Sequence, residues 1–282
     1  MVPACAEFRR DRNGLNKVLV GRALYCLFYE PSFLTRTSFE RAMGLLGGQA
    51  YHTEDASQFF PVRTPSHVDN TIRILESLHM DAVVLRSSDA GVVNRAVAAD
   101  TVPVINGGSL DDHPTQALAD IFTLQHELGG VDGVKIAICG RLEHRNVSAL
   151  LLALALYNKV EVTLIPFSGQ VDPVVTSYCI DKGVKFVTVD SLDPIEEVDA
   201  IYLNAPKTVA HAQLLRTRGG LGVSIDQVFM EKLKSHCIIM DPMQRSGDFD
   251  VTVQDKRLAF YRQAENALFV KMALLYDMLG SV

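Results

Sequence analysis

The sequence predicts an α/β protein of two domains, each built on a mostly parallel β-sheet flanked by helices. Short β-rich runs alternate with helical patterns over almost all of the 282 residues, which is typical of parallel sheets covered on both faces. A glycine-rich break, GGVDG at 129–133, interrupts this alternation near the middle of the chain. With 48% hydrophobic residues, the chain is long enough to bury two cores of ordinary size.

The first half of the chain is predicted to contain three strands and four helices. Runs of aliphatic and aromatic residues predict the strands, at 18–29, 82–85 and 102–105. Apolar residues at helical spacing predict the helices, at 35–46, 65–79, 90–99 and 114–128. Pro114 suits the first turn of the last of these helices.

The second half repeats the same alternation. Strands are predicted at 134–139, 160–165, 184–189, 200–203 and, as the last strand, 237–240. Helices are predicted at 146–157, 173–182 and 224–233, with a loop containing glycine and arginine at 204–222. A closing helix at 264–279 has a long apolar face that needs a partner, so we expect it to pack back on the first domain. The expected domains are therefore 1–130 together with 261–282, and 131–260.

Composition and charge exclude several classes of protein. The net charge of −6 argues against a general nucleic-acid binder. The longest aliphatic stretch, 149–157, is far shorter than the roughly 20 residues that span a bilayer. The start of the chain has no apolar signal core, and an odd number of cysteines without CxxC spacing argues against disulfides or a zinc site. We therefore expect a cytoplasmic protein that binds neither nucleic acid nor membrane.

Polar residues concentrate just after the predicted strands. In parallel sheets, ligands bind beyond the carboxyl ends of the strands, so these stretches are the candidate site. They are 30–37, 86–88, 106–116, 140–146 and 241–245.

The first of these stretches places Ser32, Thr35 and Thr37 at the start of a helix. Free backbone N–H groups and the helix dipole make such a position a ready anion site. Ordinary capping of the helix by a hydroxyl side chain is the alternative interpretation.

Arg86 ends a predicted strand, where its guanidinium is suited to clamp a phosphate or carboxylate, although a solvated arginine is equally common there. His113 and Gln116 lie three residues apart at a helix start and are expected to face one pocket. A lone histidine more often has a structural role. CGRLEHRN does not fit a dinucleotide site, because it has one glycine where GxGxxG needs three.

Several of these stretches, in this order, resemble the aspartate/ornithine carbamoyltransferase family. EPSFLTRTSFERAMGLLGG is similar to the family's carbamoyl-phosphate motif, and HPTQALADIFTLQHELGG is similar to its HPTQ helix. DAVVLR supplies the family's arginine, and FYRQAENALFVKMALLYDML resembles its C-terminal helix. The HPTQ sequence favours the aspartate branch over the ornithine branch.

The resemblance implies a transferase in which an amine attacks the carbonyl carbon of carbamoyl phosphate and phosphate leaves, without a metal or organic cofactor. Catalysis then consists of positioning and electrostatic stabilisation of the tetrahedral oxyanion. By motif, Thr35, Arg86 and His113 are the catalytic residues that hold the carbonyl oxygen. The other residues implied at carbamoyl phosphate are Ser32, Gln116, Pro242 and Met243, and those implied at the acceptor are Arg145, Lys207 and Gln244.

The chain departs from the family pattern at several of these positions. The family's S-T-R-T-R loop reads Ser32-Phe33-Leu34-Thr35-Arg36 here, so a principal phosphate-binding arginine is replaced by Leu34. The loop that a neighbouring subunit normally inserts corresponds to about 59–67, FFPVRTPSH, and has no lysine. Ala205 replaces an acceptor-side arginine, and Asp241 replaces the histidine of the H-P-L-P-R loop.

Two functions follow from this pattern of matches and departures. The first is a carbamoyltransferase of pyrimidine-biosynthesis type, acting on an amino-acid-like acceptor that is not bound as in a standard aspartate carbamoyltransferase. The alternative is a weak or silent homologue that serves as a binding or assembly partner. The resemblance also implies a homotrimer with its site between subunits, and it leaves open a regulatory or partner chain.

Overall fold

The computed structural model describes residues 2–11, 16–58, 65–190, 193–204, 224–242 and 250–280. These residues form two compact units. The first unit contains the described residues up to Thr115 and those from Glu265 onward, and the second contains those from Gln116 to Ala264. The domain limits expected from the sequence, after residues 130 and 260, remain predictions.

The first unit is built on a parallel sheet with the strand order β2-β1-β3-β4. Four helices of this unit lie before or between its strands, and a fifth helix begins at Pro114, next to the end of the unit's first segment at Thr115. In chain order the elements are α1 (Val2–Arg10), β1 (Ala23–Phe28), α2 (Phe33–Leu45), β2 (Gln49–Thr53), α3 (Pro65–Ser77), β3 (Ala82–Arg86), α4 (Val92–Ala98), β4 (Val104–Asn106) and α5 (Pro114–Leu128).

The second unit is built on a five-stranded parallel sheet with the order β10-β8-β5-β6-β7, and a small parallel pair, β11-β9, accompanies it. Its elements are β5 (Lys135–Arg141), α6 (Arg145–Leu154), β6 (Glu161–Ser168), α7 (Pro173–Asp181), β7 (Lys185–Thr188), β8 (Ala200–Asn204), β9 (Ser224–Ile225), α8 (Gln227–Lys232), β10 (Ile238–Met240), β11 (Asp250–Val251) and α9 (Phe260–Leu279). Helices α5 and α9 each begin in one unit and end in the other. The two parallel sheets flanked by helices confirm the predicted fold class.

The central strands of the second sheet are buried on both faces. In β5, Ile136 and Ile138 belong to a core cluster formed with α6, whereas Ala137 and Cys139 belong to a cluster on the other face with α8. Because successive side chains of a strand point to opposite faces, such a strand needs apolar residues at every position. This is why continuous apolar runs predicted these strands well.

The closing helix α9 packs on the first unit from Glu265 onward, as expected from its apolar face. Its Asn266 accepts a hydrogen bond of 2.7 Å from Arg9 of α1. Its buried Lys271 donates a hydrogen bond of 2.5 Å to Ser38 of α2 and lies over the ring of Phe39. Burial lowers the pKa of Lys271 to about 7.

Some elements differ from those predicted. Strand β2 was not predicted, because Gln49–Thr53 is an edge strand whose side chains are all at least partly exposed, so no apolar run marks it. The helix predicted at 224–233 begins only at Gln227, since Ser224–Ile225 is a strand. Strand β10 is followed by β11, so the strand predicted at 237–240 is not the last.

Two predicted loops lie outside the described residues for most or all of their length. The loop at 204–222 is described only at Asn204, and the loop at 59–67 only from residue 65. Within the part of the chain that the structure describes, none of the helices combines the length and apolar character needed to cross a membrane.

Candidate active site

The carboxyl ends of three strands meet in the first unit. In the parallel register, Phe28 of β1 pairs with Arg86 of β3, and Leu85 of β3 pairs with Asn106 of β4. The loops that follow are joined by backbone hydrogen bonds, from Tyr29 N–H to the Arg86 carbonyl (2.9 Å) and from Gly107 N–H to the Leu85 carbonyl (2.8 Å). The sheet thus brings together three of the polar stretches that the sequence placed at strand ends.

The first turn of α2 and its N-cap carry several hydroxyl side chains. Ser32 occupies the N-cap position with an extended backbone, but its side chain makes no capping hydrogen bond. Ser32 and Thr35 are both buried, whereas Thr37 is exposed. Capping therefore does not account for Ser32, and the site retains a hydroxyl beside the free N–H groups of a helix start.

Arg86 is not a solvated residue, because only 6% of it is exposed. Its Nη1 donates to the carbonyl of Gly107 at 3.1 Å, and its Nε lies 3.2 Å from a carboxylate oxygen of Glu30. Glu30 in turn accepts a hydrogen bond of 2.6 Å from the Ser88 hydroxyl. Carboxylate and carbonyl together hold the guanidinium at the ends of β1 and β3. Glu30 is a positioning partner that the sequence patterns did not identify.

Glycine is required where the chain passes Arg86. A Cβ at Gly108 would lie 2.6 Å from Arg86 Nη1, and the φ of Gly108, +125°, is one that other residues rarely adopt. A Cβ at Gly107 would lie 2.8 Å from a methyl group of Val84. The pair Gly107-Gly108 therefore allows the backbone to approach the guanidinium closely.

His113 lies beside Arg86 in the same unit. Its Nε2 is 3.4 Å from Arg86 Nη1, and its Nδ1 is 3.5 Å from the hydroxyl of Thr115. His113 and Thr115 are both buried. The structure thus brings together two of the three predicted catalytic side chains, one cationic and one imidazole, at the point where α5 begins.

Gln116 is half-buried on the first turn of α5, and it is the first residue of the second unit. Its Nε2 donates a hydrogen bond of 2.7 Å to Oδ1 of Asp120, four residues later on the same helix. Asp120 is fully buried, and burial raises its pKa to about 7. The i, i+4 spacing of a glutamine and an aspartate was visible in HPTQALAD and would have revealed this pair.

The predicted acceptor side lies at the carboxyl ends of β5 and β8 in the second unit. Arg145 is the first residue of α6, directly after the N-cap His144, whose Nδ1 accepts from Asn146 N–H at 3.3 Å. Arg141 at the end of β5 pairs with Glu143 at 3.2 Å, and its carbonyl accepts from the Asn204 amide at 2.7 Å. Arg141 at the last position of β5 and Arg145 four residues later thus lie close together in sequence, which suits a site for anions.

The stretch after β10 is described only as far as Pro242, which is half-buried. Asp241 is 1% exposed, and its N–H donates to Oε1 of Gln263 at 2.8 Å. Burial raises the pKa of both Asp120 and Tyr202, and the charge of the nearby Asp241 carboxylate acts in the same direction. The predicted site residues outside the described part of the chain are Lys207, Met243 and Gln244.

The two departures in the phosphate loop differ in exposure. Phe33 is 77% exposed at the start of α2, whereas Leu34 is half-buried. The carbonyl of Leu34 accepts a hydrogen bond from Ser38, the residue that also binds Lys271. Lys271 is therefore held by Ser38, and it does not replace an arginine at position 34.

Two family profiles cover nearly the whole chain. Residues 2–126 match the profile described as "Aspartate/ornithine carbamoyltransferase, carbamoyl-P binding domain". Residues 132–278 match the profile described as "Aspartate/ornithine carbamoyltransferase, Asp/Orn binding domain". The agreement with both profiles extends over the two sheets described above.

Individual proteins show the same similarity. The chloroplastic aspartate carbamoyltransferase of Oryza sativa subsp. japonica is 34% identical over 270 residues, which cover 93% of this chain and 74% of that protein. The catalytic subunit of M. jannaschii aspartate transcarbamoylase has a TM-score of 0.85 at 28% identity, over 98% of this chain and 92% of that one. Aspartate transcarbamoylase from Trypanosoma cruzi, crystallised with carbamoyl phosphate and aspartate, has a TM-score of 0.81 at 30% identity, over 98% and 89% of the two chains. The chain therefore belongs to the aspartate/ornithine carbamoyltransferase family and lies closer to its aspartate branch.

Proposed function

We propose that this protein transfers the carbamoyl group of carbamoyl phosphate to the amino group of an amino-acid-like acceptor. The observation that carries the proposal is the meeting of Arg86 and His113, 3.4 Å apart, in the unit that also buries Ser32 and Thr35 at the start of α2. A helix start and a cation are favourable for binding a phosphate group, and converging donors stabilise an oxyanion. The first unit offers both.

In this proposal the first unit is the carbamoyl-phosphate domain. Ser32, Thr35 and the N–H groups of the α2 start bind the phosphate. Thr35, Arg86 and His113 surround the carbonyl oxygen, where negative charge develops as the carbon becomes tetrahedral. The amine nitrogen forms the new bond to the carbonyl carbon, the bond from that carbon to the phosphate oxygen breaks, and a proton of the amine leaves with the phosphate.

The second unit is the acceptor domain of the proposal. Arg145 binds the carboxylate of the acceptor, and Lys207 and Gln244 contribute to the same pocket. Gln116 and the carbonyls of Pro242 and Met243 hold the carbamoyl NH2 group. The relatives of this chain include proteins named aspartate carbamoyltransferase, and aspartate is therefore the first acceptor to test.

We further propose that the acceptor is not bound as in a standard aspartate carbamoyltransferase. Ala205 stands where the family has an arginine, with Lys207 two residues later. A charged Asp241 in place of the family's histidine would favour an amine or guanidine-like group on the acceptor over a second carboxylate. Because Asp241 is buried beside Asp120 and Tyr202, the case for an altered acceptor rests on Ala205 and Lys207.

Phosphate release from carbamoyl phosphate, measured across a panel of amines, tests this function. The panel contains L-aspartate, L-ornithine, L-lysine and L-arginine, with N-acetyl-L-aspartate as the matched control that lacks a free amine. We expect at least one amino acid to accelerate phosphate release and to yield its N-carbamoyl product, while the acetylated control does not. Release that is the same with every amine and without amine contradicts the proposal.

A silent homologue is the second candidate, and Phe33 and Leu34 favour it. An exposed phenylalanine and a half-buried leucine stand in the loop where the family places polar phosphate ligands. Such a protein would keep the fold and act as a binding or assembly partner. A parent protein that shows neither amine-dependent phosphate release nor carbamoyl-phosphate binding would favour this candidate.

Assembly and location are also proposals. A homotrimer would complete each site with a loop from a neighbouring subunit, here 59–67, and a regulatory or partner chain remains compatible with it. The five cysteines are free and buried, which suits the reducing cytoplasm; they are Cys5, Cys26, Cys139, Cys179 and Cys237.

A further inference from the structure

A chain of hydrogen bonds with a defined direction runs through the second unit. It begins at the backbone N–H of Asp241, which donates to Oε1 of Gln263 at 2.8 Å. The Nε2 of Gln263 then donates to Oδ1 of Asp120 at 2.7 Å. The same oxygen of Asp120 accepts from Nε2 of Gln116, also at 2.7 Å. The chain therefore ends at a residue that the proposed function places on the carbamoyl NH2 group.

The direction of every bond in this chain is set by its first member. A backbone N–H can only donate, so the amide oxygen of Gln263 must face Asp241 and its NH2 group must face Asp120. Oδ1 of Asp120 is consequently an acceptor, and Gln116 must also turn its NH2 group toward it. The amide oxygen of Gln116 is then left to accept a hydrogen bond from elsewhere.

The central residues of this hydrogen-bond chain are buried, so reversing the direction of its bonds would cost free energy. Asp120 is 0% exposed and Gln263 is 1% exposed. The Asp120 carboxylate also interacts with the buried hydroxyl of Tyr202, whose pKa is raised well above its usual value by burial and by Asp120. An amide turned the wrong way would place two polar groups of the same kind together without water to compensate.

We infer that Asp120 and Gln263 are positioning residues that hold the amide oxygen of Gln116 toward the carbamoyl group and so make the site select a carbamoyl phosphate over an acetyl phosphate. This inference rests on the proposed function. The carbamoyl NH2 group has two N–H donors, whereas the methyl group of acetyl phosphate has none. A fixed acceptor therefore strengthens the binding of carbamoyl phosphate but not that of acetyl phosphate. Gln263 also accepts from the N–H of Asp241, the residue directly before Pro242. The same series of hydrogen bonds therefore positions both Gln116 and the backbone at Pro242, which the proposed function assigns to the carbamoyl NH2 group.

The test compares the dissociation constants of carbamoyl phosphate and acetyl phosphate, measured by calorimetry at pH 8 on the full chain. The variants are Asp120→Leu, which removes the acceptor at similar volume, and Asp120→Asn, which keeps one carbonyl oxygen for both glutamines. We expect the ratio of the acetyl phosphate constant to the carbamoyl phosphate constant to fall by about tenfold in Asp120→Leu, because Asp120 then no longer holds the Gln116 amide. The same ratio should stay near the parent value in Asp120→Asn. The ratio is obtained from one preparation, so partial misfolding of a variant does not change it.

A Gln116→Leu background shows whether Asp120 acts through Gln116. If it does, Asp120→Leu has no further effect on the ratio once Gln116 has been replaced. A parent protein that prefers carbamoyl phosphate, with the same preference in Asp120→Leu, overturns the inference and leaves the proposed function intact. An equal loss of preference in Asp120→Leu and Asp120→Asn also overturns it. A parent protein that binds neither phosphate overturns both the inference and the proposed function.

Discussion

Replacement of Arg86 by glutamine is expected to reduce carbamoyl transfer by about 10³-fold, or about 4 kcal/mol of transition-state stabilisation. The proposal places Arg86 on the carbonyl oxygen, where negative charge develops as the carbon becomes tetrahedral. Its charge is fully retained at neutral pH, and its position is fixed by Gly107 and Glu30. The change leaves a shorter, neutral amide, so the variant loses both the positive charge and the reach of the guanidinium.

The matched control for this prediction is Arg22→Gln. Arg22 pairs with Asp81 at 2.7 Å just before β1, and therefore lies at the opposite end of the same sheet from Arg86. Phosphate release in the presence of the best acceptor measures both variants, and the control should stay within about twofold of the parent protein. An Arg86→Gln variant as active as Arg22→Gln would remove Arg86 from the mechanism.

Replacement of Leu34 by arginine is expected to tighten carbamoyl-phosphate binding by roughly 10- to 150-fold. The change restores a charge-assisted contact at the start of α2, and such a contact contributes about 1.5–3 kcal/mol. Lys271 does not supply this contact in the parent protein, because its ammonium group is buried and bound to Ser38. Isothermal titration of the parent and the variant with carbamoyl phosphate measures the change.

Phe33 provides the control for a blocked pocket. Its ring, which is 77% exposed at the same helix start, can occupy the space that the phosphate needs. The pair Phe33→Thr with Leu34→Arg removes that obstacle, whereas Phe33→Thr alone shows what the ring contributes by itself. If the double variant binds carbamoyl phosphate no better than the parent, the loop no longer serves as a phosphate site. The silent homologue is then the better interpretation of this protein.

The fold could be predicted from the sequence largely because both sheets are parallel and buried. Buried strands such as β5 and β8 need apolar residues on both faces, and they therefore appear as continuous runs. Edge strand β2 has no such requirement, and its position depends on pairing with β1. The short strands β9 and β11 likewise depend on each other, with Asp250 opposite Ser224, and neither has a local pattern of its own.

Residues of the candidate site could be predicted from the sequence where their positions depend on a local element. His113 and Gln116 share one helix start, and Arg86 ends a strand whose apolar run is plain. The contact between Asp120 and Gln263 joins residues 143 positions apart, so only the folded second unit brings them together. The role of Glu30 at Arg86 was hidden for the same reason, because it depends on the register of β1 and β3.

The proposed function requires the first unit to bind carbamoyl phosphate at the start of α2, beside Arg86. A calorimetric titration of the parent protein with carbamoyl phosphate, repeated with Arg86→Gln and in the presence of inorganic phosphate, tests it most directly. We expect saturable binding of one molecule per chain, competition by phosphate, and binding at least about tenfold weaker in the variant. The absence of saturable binding at millimolar concentrations, or binding that Arg86→Gln leaves unchanged, would contradict it.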